Sequence, residues 1–273
     1  MQGYSCVCCR FHANQATEPI WRRYLLNRTV LITGAAGGIG QATIREFVEA
    51  EWQAIAVDKI ALDKLPGAAV FHQADVADDR SVRALFEWLG DQANELDALV
   101  NNAAVQVCKP LIEMSVDEWD LVLATNLRSV FLTARYGYGF LKRAQGAVVN
   151  VGSVHALVTS TDNAAYAASK GGVAALSRAM ALEWARDGVR VNSVLPGAID
   201  TPMLRAGLER NGTGGTIEER MNALAGRTPL GRVGTSDEIA KAILFLADGT
   251  QSSFMTGQAL LVNGGATARL STE

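Results

Sequence analysis

The chain has 273 residues, and its 25 Lys and Arg against 28 Asp and Glu give a formal net charge of −3. Hydrophobic residues make up 49% and charged residues 19%, which is typical of a folded globular protein and excludes a disordered one. The near-neutral balance gives no electrostatic basis for binding nucleic acid or an anionic membrane, and the chain has no run of 18 apolar residues that would span a bilayer.

The first 25 residues show no pattern of a folded element. Cys6, Cys8 and Cys9 lie near His12, but no second ligand pair accompanies them, so we predict no metal site. The segment lacks the apolar core of a secretory signal, and its arginines faintly resemble a mitochondrial presequence. We interpret residues 1–25 as a disordered extension from an upstream start site. We predict that this extension precedes a single domain over residues 26–273. We also predict that the protein is cytoplasmic.

From residue 29 onward, segments typical of strands alternate with segments typical of helices. The strand segments are largely apolar runs, as expected when both faces of a parallel sheet are covered. In chain order they are TVLIT, AIAVD, AVFHQAD, DALVNNAA, GAVVNVGS, VRVNSVLPG and QALLVNGG. Apolar residues at helical spacing predict helices over 39–50, 79–93, 115–141, the segment around Tyr166, and 235–247.

This alternation predicts one α/β domain, with a doubly wound parallel sheet of about seven strands and helices on both faces. Capping boxes are predicted at Ser115 with Glu118 and at Thr235 with Glu238. Ligands of such sheets bind at the carboxyl ends of the strands, so functional residues should directly follow strands. Residues 204–226 combine the closely spaced Gly212, Gly214 and Gly215 with a weak helical pattern, which is typical of a mobile lid or of a disordered surface loop.

The turn between the first strand and the first helix reads TGAAGGIG. Gly34, Gly38 and Gly40 allow a tight turn that brings backbone close to a pyrophosphate at the positive end of a helix. The spacing differs from the G-x-G-x-x-G fingerprint, and a plain glycine-rich turn is the alternative. Asp58 ends the second strand, where a carboxylate accepts hydrogen bonds from ribose hydroxyls and repels a 2′-phosphate. The sequence therefore predicts NAD rather than NADP, with Lys59 as the opposing signal.

Tyr166 and Lys170 are four positions apart and so share one face of a helix. A free tyrosine titrates near ~10. An ammonium about 4 Å from the phenolate contributes at most ~4 kcal/mol at an effective dielectric near ~20, equivalent to ~3 pKa units. We therefore expect a lowered pKa that lets the phenol exchange a proton with a substrate hydroxyl. Ser153 directly follows a strand, where its hydroxyl can stabilise a developing alkoxide.

Taken in order, these motifs resemble those of the short-chain dehydrogenase/reductase family. The resemblance covers roughly residues 26–266 and implies a Rossmann-type fold. The matching segments are TGAAGGIG, ADV, NNAA, TNLRSVF, VGSV, YAASK and PGAIDTPM. One departure is Ala104, where the family has glycine; a methyl group beside the cofactor is expected to be tolerated.

The resemblance implies roles for individual residues. The implied cofactor contacts are Gly34, Gly38, Ile39, Gly40, Asp58, Asp75, Val76, Asn102, Tyr166, Lys170, Pro196, Gly197, Ile199 and Thr201. The implied catalytic set is Asn126, Ser153, Tyr166 and Lys170, in which Asn126 holds a water that links Lys170 to solvent. The resemblance also implies a homotetramer, built through the helices carrying Asn126 and Tyr166 and through the C-terminal strand.

The predicted function is hydride transfer between NAD(H) and a secondary alcohol or its ketone, with oxidation as the expected direction. The predicted pocket residues are Gln106, Val107, His155, Leu157, Met203 and Leu204. The SVH tripeptide with Gln106 is similar to aldose dehydrogenases of the family, although those have an acid near that loop position. An NAD-dependent aldose 1-dehydrogenase is therefore one alternative. A non-catalytic NAD-binding sensor or scaffold is another, and a redox step serving epimerisation is a third.

Overall fold

A computed structural model of the protein describes residues 28–62, 64–67, 69–210 and 214–268. The interpretation of the first 25 residues, including the cysteines near His12, lies outside these ranges. Within them, no cluster of three or more potential metal-ligating side chains occurs. No helix in the same ranges has the length and apolar character needed to cross a membrane.

Seven parallel strands form one sheet, which confirms the predicted fold class. The strands are β1 (Thr29–Thr33), β2 (Gln53–Asp58), β3 (Val70–Gln73), β4 (Ala98–Asn101), β5 (Ala147–Val151), β6 (Arg190–Pro196) and β7 (Ala259–Val262). Their order is β3-β2-β1-β4-β5-β6-β7. Every residue of β1, β4 and β5 is buried, because helices cover both faces of the sheet. The order reverses at β1 and β4, where such sheets open a crevice for ligands.

Helices on the two faces enclose two separate hydrophobic clusters. The helices are α1 (Gly38–Glu49), α2 (Asp79–Gln92), α3 (Val116–Leu123), α4 (Ser129–Ala144), α5 (Ala164–Trp184), α6 (Pro202–Arg210), α7 (Ile217–Arg227), α8 (Ser236–Ala247) and α9 (Gly249–Ser252). Val30 and Ile32 pack with residues of α1 and α8, whereas Leu31 packs with α2, α4 and α5. This alternation follows from the two-residue period of a strand.

The helix predicted over 115–141 is interrupted in its middle. Its capping box at Ser115 and Glu118 is confirmed, as is the one at Thr235 and Glu238. Between α3 and α4, however, residues Ala124–Arg128 form a π-helical turn. A π turn inserts one extra residue and widens the helix, and such turns are frequent at functional sites. The apolar spacing carried no sign of this turn, and Asn126 lies inside it.

The described part of the 204–226 segment is helical rather than irregular. It is occupied by α6 and α7, and α7 begins with a third capping box between Thr216 and Glu219. Sequence analysis missed this box. Gly214 and Gly215, directly before it, have φ angles of 92° and 82°, a conformation that favours glycine. The expectation that this segment moves as a lid stays a prediction.

Candidate active site

A cleft of about 1200 Å³ at the carboxyl ends of the strands brings most of the predicted site residues together. It extends from the end of β2 to α6 and α7. The predicted residues that line it are Gly34, Gly38, Ile39, Asp58, Asp75, Val76, Asn102, Gln106, Ser153, His155, Tyr166, Lys170, Pro196, Gly197, Ile199, Thr201, Met203 and Leu204. Four expected residues do not line it, namely Gly40, Val107, Asn126 and Leu157.

The glycine turn packs so closely that side chains are excluded at two positions. Gly34 has a φ of 67°, and a Cβ there would lie 2.7 Å from the Cα of Ala103. A Cβ on Gly40 would lie 2.1 Å from the carbonyl oxygen of Gly34. Gly40 therefore supports the turn from behind, which corrects its expected place in the cofactor cleft. Gly38 does line the cleft, at the first residue of α1, whose first turn contains no acidic residue.

Asn102 and Thr33 fix this turn against the end of β4. The amide nitrogen of Asn102 donates to the carbonyl oxygens of Thr33 and Gly34, both at 3.0 Å. The Thr33 hydroxyl accepts the backbone N–H groups of Asn102 at 3.0 Å and Ala103 at 3.2 Å. The side chains of the buried Thr33 and the half-buried Asn102 thus fix the turn at the edge of the cleft, a role for Thr33 that the sequence did not predict.

The Asp58 carboxylate is held in place by two backbone groups. One oxygen accepts the N–H of Ala36 at 2.9 Å, and the other accepts the N–H of Ile60 at 3.0 Å. Each carboxylate oxygen keeps a second lone pair that a ribose hydroxyl can use. A turn that excludes a Cβ at Gly34 and Gly40, followed by a fixed carboxylate at the next strand end, fits a dinucleotide.

Tyr166 and Lys170 both reach the cleft from one face of α5, as their spacing predicts. Lys170 is 2% exposed, and its Nζ donates to the carbonyl oxygen of Val151 at 2.8 Å. The same Nζ lies 5.6 Å from the centroid of the Tyr166 ring. The ammonium therefore lies against the ring of the tyrosine and is anchored to the end of β5.

The pKa of Tyr166 departs from its usual value in the direction opposite to the one expected. Tyr166 as a whole residue is partly exposed, but its hydroxyl group is surrounded by protein. This burial raises the pKa of the phenol to about 12. Hydrogen bonding with Ser153 acts in the lowering direction and is outweighed. Burial likewise lowers the pKa of Lys170 to about 8. The expected lowering of the Tyr166 pKa is wrong for this structure, because desolvation of the phenol dominates and the hydrogen bond with Ser153 offsets only part of it.

The His155 ring packs against Tyr166, and its hydrogen bond goes to Thr159 instead of to Ser153, Tyr166 or Lys170. Its ring stands edge-on to that of Tyr166, with centroids 5.5 Å apart. Its Nδ1 lies 2.8 Å from the Thr159 hydroxyl, and its backbone N–H donates to the Ser153 hydroxyl at 3.2 Å. Burial lowers the pKa of the imidazole, so His155 is neutral at pH 7 and borders the pocket without adding charge.

The Asn126 side chain hydrogen-bonds other protein groups and does not line the cleft. Its Oδ1 accepts the N–H of Val105 at 2.8 Å, and its Nδ2 donates to the carbonyl of Val105 at 2.9 Å and to the Ser169 hydroxyl at 3.0 Å. Both amide hydrogens are therefore used, and the residue is 1% exposed. Asn126 ties the loop after β4 to α5. Its expected role in holding a water stays a prediction, and its side-chain amide has no free hydrogen for one.

Several residues that line the cleft near α6 and α7 were not predicted from the sequence. They are Cys108, Asn163, Gly207, Leu208, Leu224 and Arg227. Asn163 precedes α5 directly, three residues before Tyr166, and this position was a signal that could have identified it. The last four lie on α6 and α7, and sequence periodicity does not show how those helices lie over the cleft. Burial raises the pKa of the Cys108 thiol, which keeps it protonated.

Comparisons with known proteins place the chain among oxidoreductases. A family model described as Enoyl-(Acyl carrier protein) reductase matches residues 34–267. The chain is 35% identical over 249 residues to meso-2,3-butanediol dehydrogenase of Serratia marcescens, with 89% of this chain and 95% of that protein covered. It is 36% identical over 251 residues to a 3-oxoacyl-[acyl-carrier-protein] reductase of Thermotoga maritima, with 88% and 98% covered.

Solved structures show the same fold over nearly the whole chain. The ligand-free aldohexose dehydrogenase of Thermoplasma acidophilum superposes with a TM-score of 0.84 at 29% identity, covering 90% of this chain and 96% of that one. An actinorhodin polyketide ketoreductase bearing a substitution, solved with NADPH, also gives 0.84, at 28% identity, covering 89% and 98%. The chain therefore belongs to the short-chain dehydrogenase/reductase family, and it is an oxidoreductase that acts on CH–OH groups with a nicotinamide cofactor.

Proposed function

We propose that the protein transfers a hydride between NAD(H) and a secondary alcohol or its ketone, with Tyr166 as the acid–base group. The observation that carries the proposal is the arrangement of Ser153, Tyr166 and Lys170 at one end of a cleft whose other end presents Asp58. The nicotinamide ring, when bound, accepts or supplies the hydride. The chain supplies binding, orientation and proton transfer.

Ser153 and Tyr166 act on the reacting oxygen of the substrate. The Ser153 hydroxyl hydrogen-bonds this oxygen and stabilises the charge that develops on it. The Tyr166 phenol, whose raised pKa of about 12 keeps it protonated at pH 7, donates its proton to a ketone oxygen during reduction. In oxidation, the phenol must first lose that proton, and Lys170 beside the ring stabilises the negative charge. Alcohol oxidation should therefore speed up as the pH rises.

Asp58 supports NAD as the preferred cofactor. Its two bonds to backbone N–H groups hold the carboxylate where ribose hydroxyls can donate to it. A 2′-phosphate at the same place would face a negative charge at short range, which is unfavourable. Lys59 is exposed and also borders the cleft, and its positive charge at this edge favours NADP.

The second candidate is an NAD-dependent aldose 1-dehydrogenase. The polar side chains of Gln106, Asn163 and Ser160 border the cleft and suit a ligand with several hydroxyl groups. The structural likeness to an aldohexose dehydrogenase is in line with this candidate. A non-catalytic NAD-binding sensor and a redox step within epimerisation are further candidates, and Tyr166 with Lys170 in the cleft speaks against the sensor.

We further propose that the protein assembles as a homotetramer in the cytoplasm. Apolar side chains are exposed on the helices and the C-terminal strand expected to form subunit contacts, namely Phe131 on α4, Leu182 on α5 and Leu261 on β7. Their burial between subunits would remove apolar surface from water. Sedimentation of the purified protein tests the assembly, and a monomer would contradict it.

Turnover of a panel of alcohols tests the proposed activity. Polyols, aldoses, steroids and cyclic alcohols are incubated with NAD or with NADP, and formation of the reduced cofactor is followed by absorbance. We expect turnover of at least one secondary alcohol with NAD. Binding of NAD without turnover of any alcohol, and without reduction of the matching ketones, would support a non-catalytic function.

A further inference from the structure

A chain of hydrogen bonds fixes the direction of one amide in the substrate part of the cleft. Asn163 is 6% exposed, and its Nδ2 donates to the carbonyl oxygen of Thr161 at 2.9 Å and to the Ser160 hydroxyl at 3.0 Å. A carbonyl oxygen only accepts hydrogen bonds, so the nitrogen of this amide must face Thr161. The Oδ1 of Asn163 consequently points toward the loop after β4.

The orientation of Gln106 follows from that of Asn163. Gln106 Nε2 lies 2.7 Å from Asn163 Oδ1, which only accepts, so the Gln106 amide cannot turn over without bringing two oxygens together. The Cys108 Sγ lies 3.6 Å from the same Oδ1 and adds a weak second donor. The Gln106 Oε1 must therefore point away from Asn163.

The Oε1 of Gln106 faces α6 across space that a substrate can enter. A Cβ built on Gly207 of α6 would lie 3.9 Å from this oxygen, and both residues line the cleft. Among the residues that the structure describes, no donor hydrogen-bonds this oxygen. The cleft thus contains a hydrogen-bond acceptor with a fixed orientation. No group in the described part of the protein donates a hydrogen bond to it.

The loop that carries Gln106 is anchored on both sides. Val105 before it makes two backbone hydrogen bonds with the Asn126 side chain. Lys109 after it donates its backbone N–H to the carbonyl of Asp162 at 3.0 Å. An acceptor placed on such a support loses little conformational freedom when a ligand binds, so its hydrogen bond contributes more fully to affinity.

We propose that Gln106 Oε1 accepts a hydrogen bond from a second hydroxyl group of the substrate, so that diols and polyols are preferred over simple secondary alcohols. The inference rests on the proposed function and deepens it. The acceptor disfavours a carboxylate or phosphate at the same place, because two acceptors would then face each other. It also gives no advantage to a ketone or an ether at that place, since neither group carries a hydrogen to donate.

The test compares cyclohexane-1,2-, 1,3- and 1,4-diol with cyclohexanol, using the full-length protein and NAD. For the native protein we expect kcat/KM for one diol to exceed that for cyclohexanol by about tenfold, the effect of one partly exposed hydrogen bond. In Gln106→Leu, and in the more closely shaped Gln106→Met, this ratio should fall to about one. The matched control is Gln92→Leu, at the exposed end of α2 and outside the cleft, which should keep the native ratio.

Folding of each variant is checked by its melting temperature and its affinity for NADH. Equal kcat/KM for diols and cyclohexanol in the native protein would overturn the inference and leave the proposed function intact. A diol preference that persists in both Gln106 variants would also overturn it. Turnover of neither diols nor cyclohexanol with cofactor bound would count against the proposed function. The calorimetric affinities of the NADH complex for diol and cyclohexanol, in native protein and Gln106→Leu, would then decide the inference separately.

Discussion

The two ends of the cleft differ in what forms them: closely packed backbone at one end and side chains at the other. At the cofactor end, backbone groups approach so closely that Cβ atoms on Gly34 and Gly40 would lie under 3 Å from other backbone atoms. At the substrate end, side chains from a loop and from α6 and α7 face each other, and a Cβ on Gly207 would meet nothing nearer than 3.9 Å. The cofactor end therefore restricts which residues can occupy its positions, whereas the substrate end can accommodate many different side chains.

This difference explains which end can be recognised in a sequence. Close packing of backbone requires glycine, and a fixed carboxylate requires an acid at one position, so the cofactor end leaves a motif. A pocket formed by side chains on separate helices leaves no spacing rule, and its residues become apparent only when the helices are placed.

Replacement of Gly40 by alanine should damage the cofactor end severely. The new Cβ would lie 2.1 Å from the Gly34 carbonyl oxygen and 2.9 Å from the Ala35 Cα, and these are backbone atoms that cannot turn aside. We expect Gly40→Ala to lower the free energy of unfolding by about 3 kcal/mol or more. Affinity for NADH, measured by fluorescence titration, should fall at least ~100-fold, equivalent to ~2.8 kcal/mol.

The matched control for Gly40 is Gly226 in α7, where an added Cβ would have no heavy atom within 4 Å. Gly226→Ala should leave the free energy of unfolding unchanged or raise it by up to ~1 kcal/mol, because alanine favours a helix. Thermal melts of both variants give the comparison. A Gly40→Ala protein as stable as the native one would show that the turn is not restricted in the way described.

Replacement of Lys170 by methionine should lower the activity while it raises the stability of the protein. The amine is buried, and its pKa of about 8 against an ordinary 10.5 corresponds to about 3 kcal/mol of destabilisation at pH 7 as an upper bound. Lys170→Met should therefore raise the free energy of unfolding by up to that amount while lowering kcat at least ~100-fold. Lys241→Met, at an exposed position of α8, is the control and should alter neither.

The stability gain of Lys170→Met should depend on pH in a defined direction. Below pH 8, the amine is charged in both the folded and unfolded chain, and the full cost of burial is present. Between pH 8 and 10.5 the folded chain loses this proton first, so the stability of the native protein rises with pH. The advantage of the variant should shrink over this window. Denaturant unfolding at pH 6.5 and 9.5 measures it, and a gain that grew with pH would contradict the account.

Replacement of Asp58 by asparagine should change cofactor choice more than overall affinity. Asparagine keeps one acceptor oxygen for the backbone or the ribose but removes the negative charge that opposes a 2′-phosphate. We expect the ratio of the NADPH and NADH dissociation constants to fall about tenfold, which is ~1.4 kcal/mol. Asp91→Asn, on the exposed end of α2, is the control. An unchanged ratio in Asp58→Asn would show that this carboxylate does not select the cofactor.

Much of the fold followed from the sequence because its signals are local. The apolar runs marked the seven strands, and the capping boxes marked the starts of α3 and α8. The π turn at Ala124–Arg128 was not predicted, since it is stabilised by contacts of Asn126 with distant Val105 and Ser169. Periodicity in the sequence carries no information on such contacts.

The sequence predicted that Tyr166 and Lys170 lie together, but it did not predict the direction in which the pKa of the phenol shifts. A spacing of four placed Tyr166 and Lys170 on one face of α5, and both do line the cleft. The same spacing suggested a lowered pKa for the phenol, whereas burial raises it to about 12. Desolvation depends on all the protein around a group, so a motif of two residues could not reveal it.

Turnover of Tyr166→Phe, measured together with its NADH affinity, shows whether the Tyr166 phenol is the proton carrier of the reaction. We expect kcat with a secondary alcohol to fall at least ~100-fold, because the proton carrier is lost. The dissociation constant for NADH should stay within about threefold of the native value, less than ~1 kcal/mol. The control Tyr136→Phe, whose hydroxyl bonds Asp79 outside the cleft, should retain native turnover. Native turnover in Tyr166→Phe would contradict the proposal that this phenol exchanges the proton.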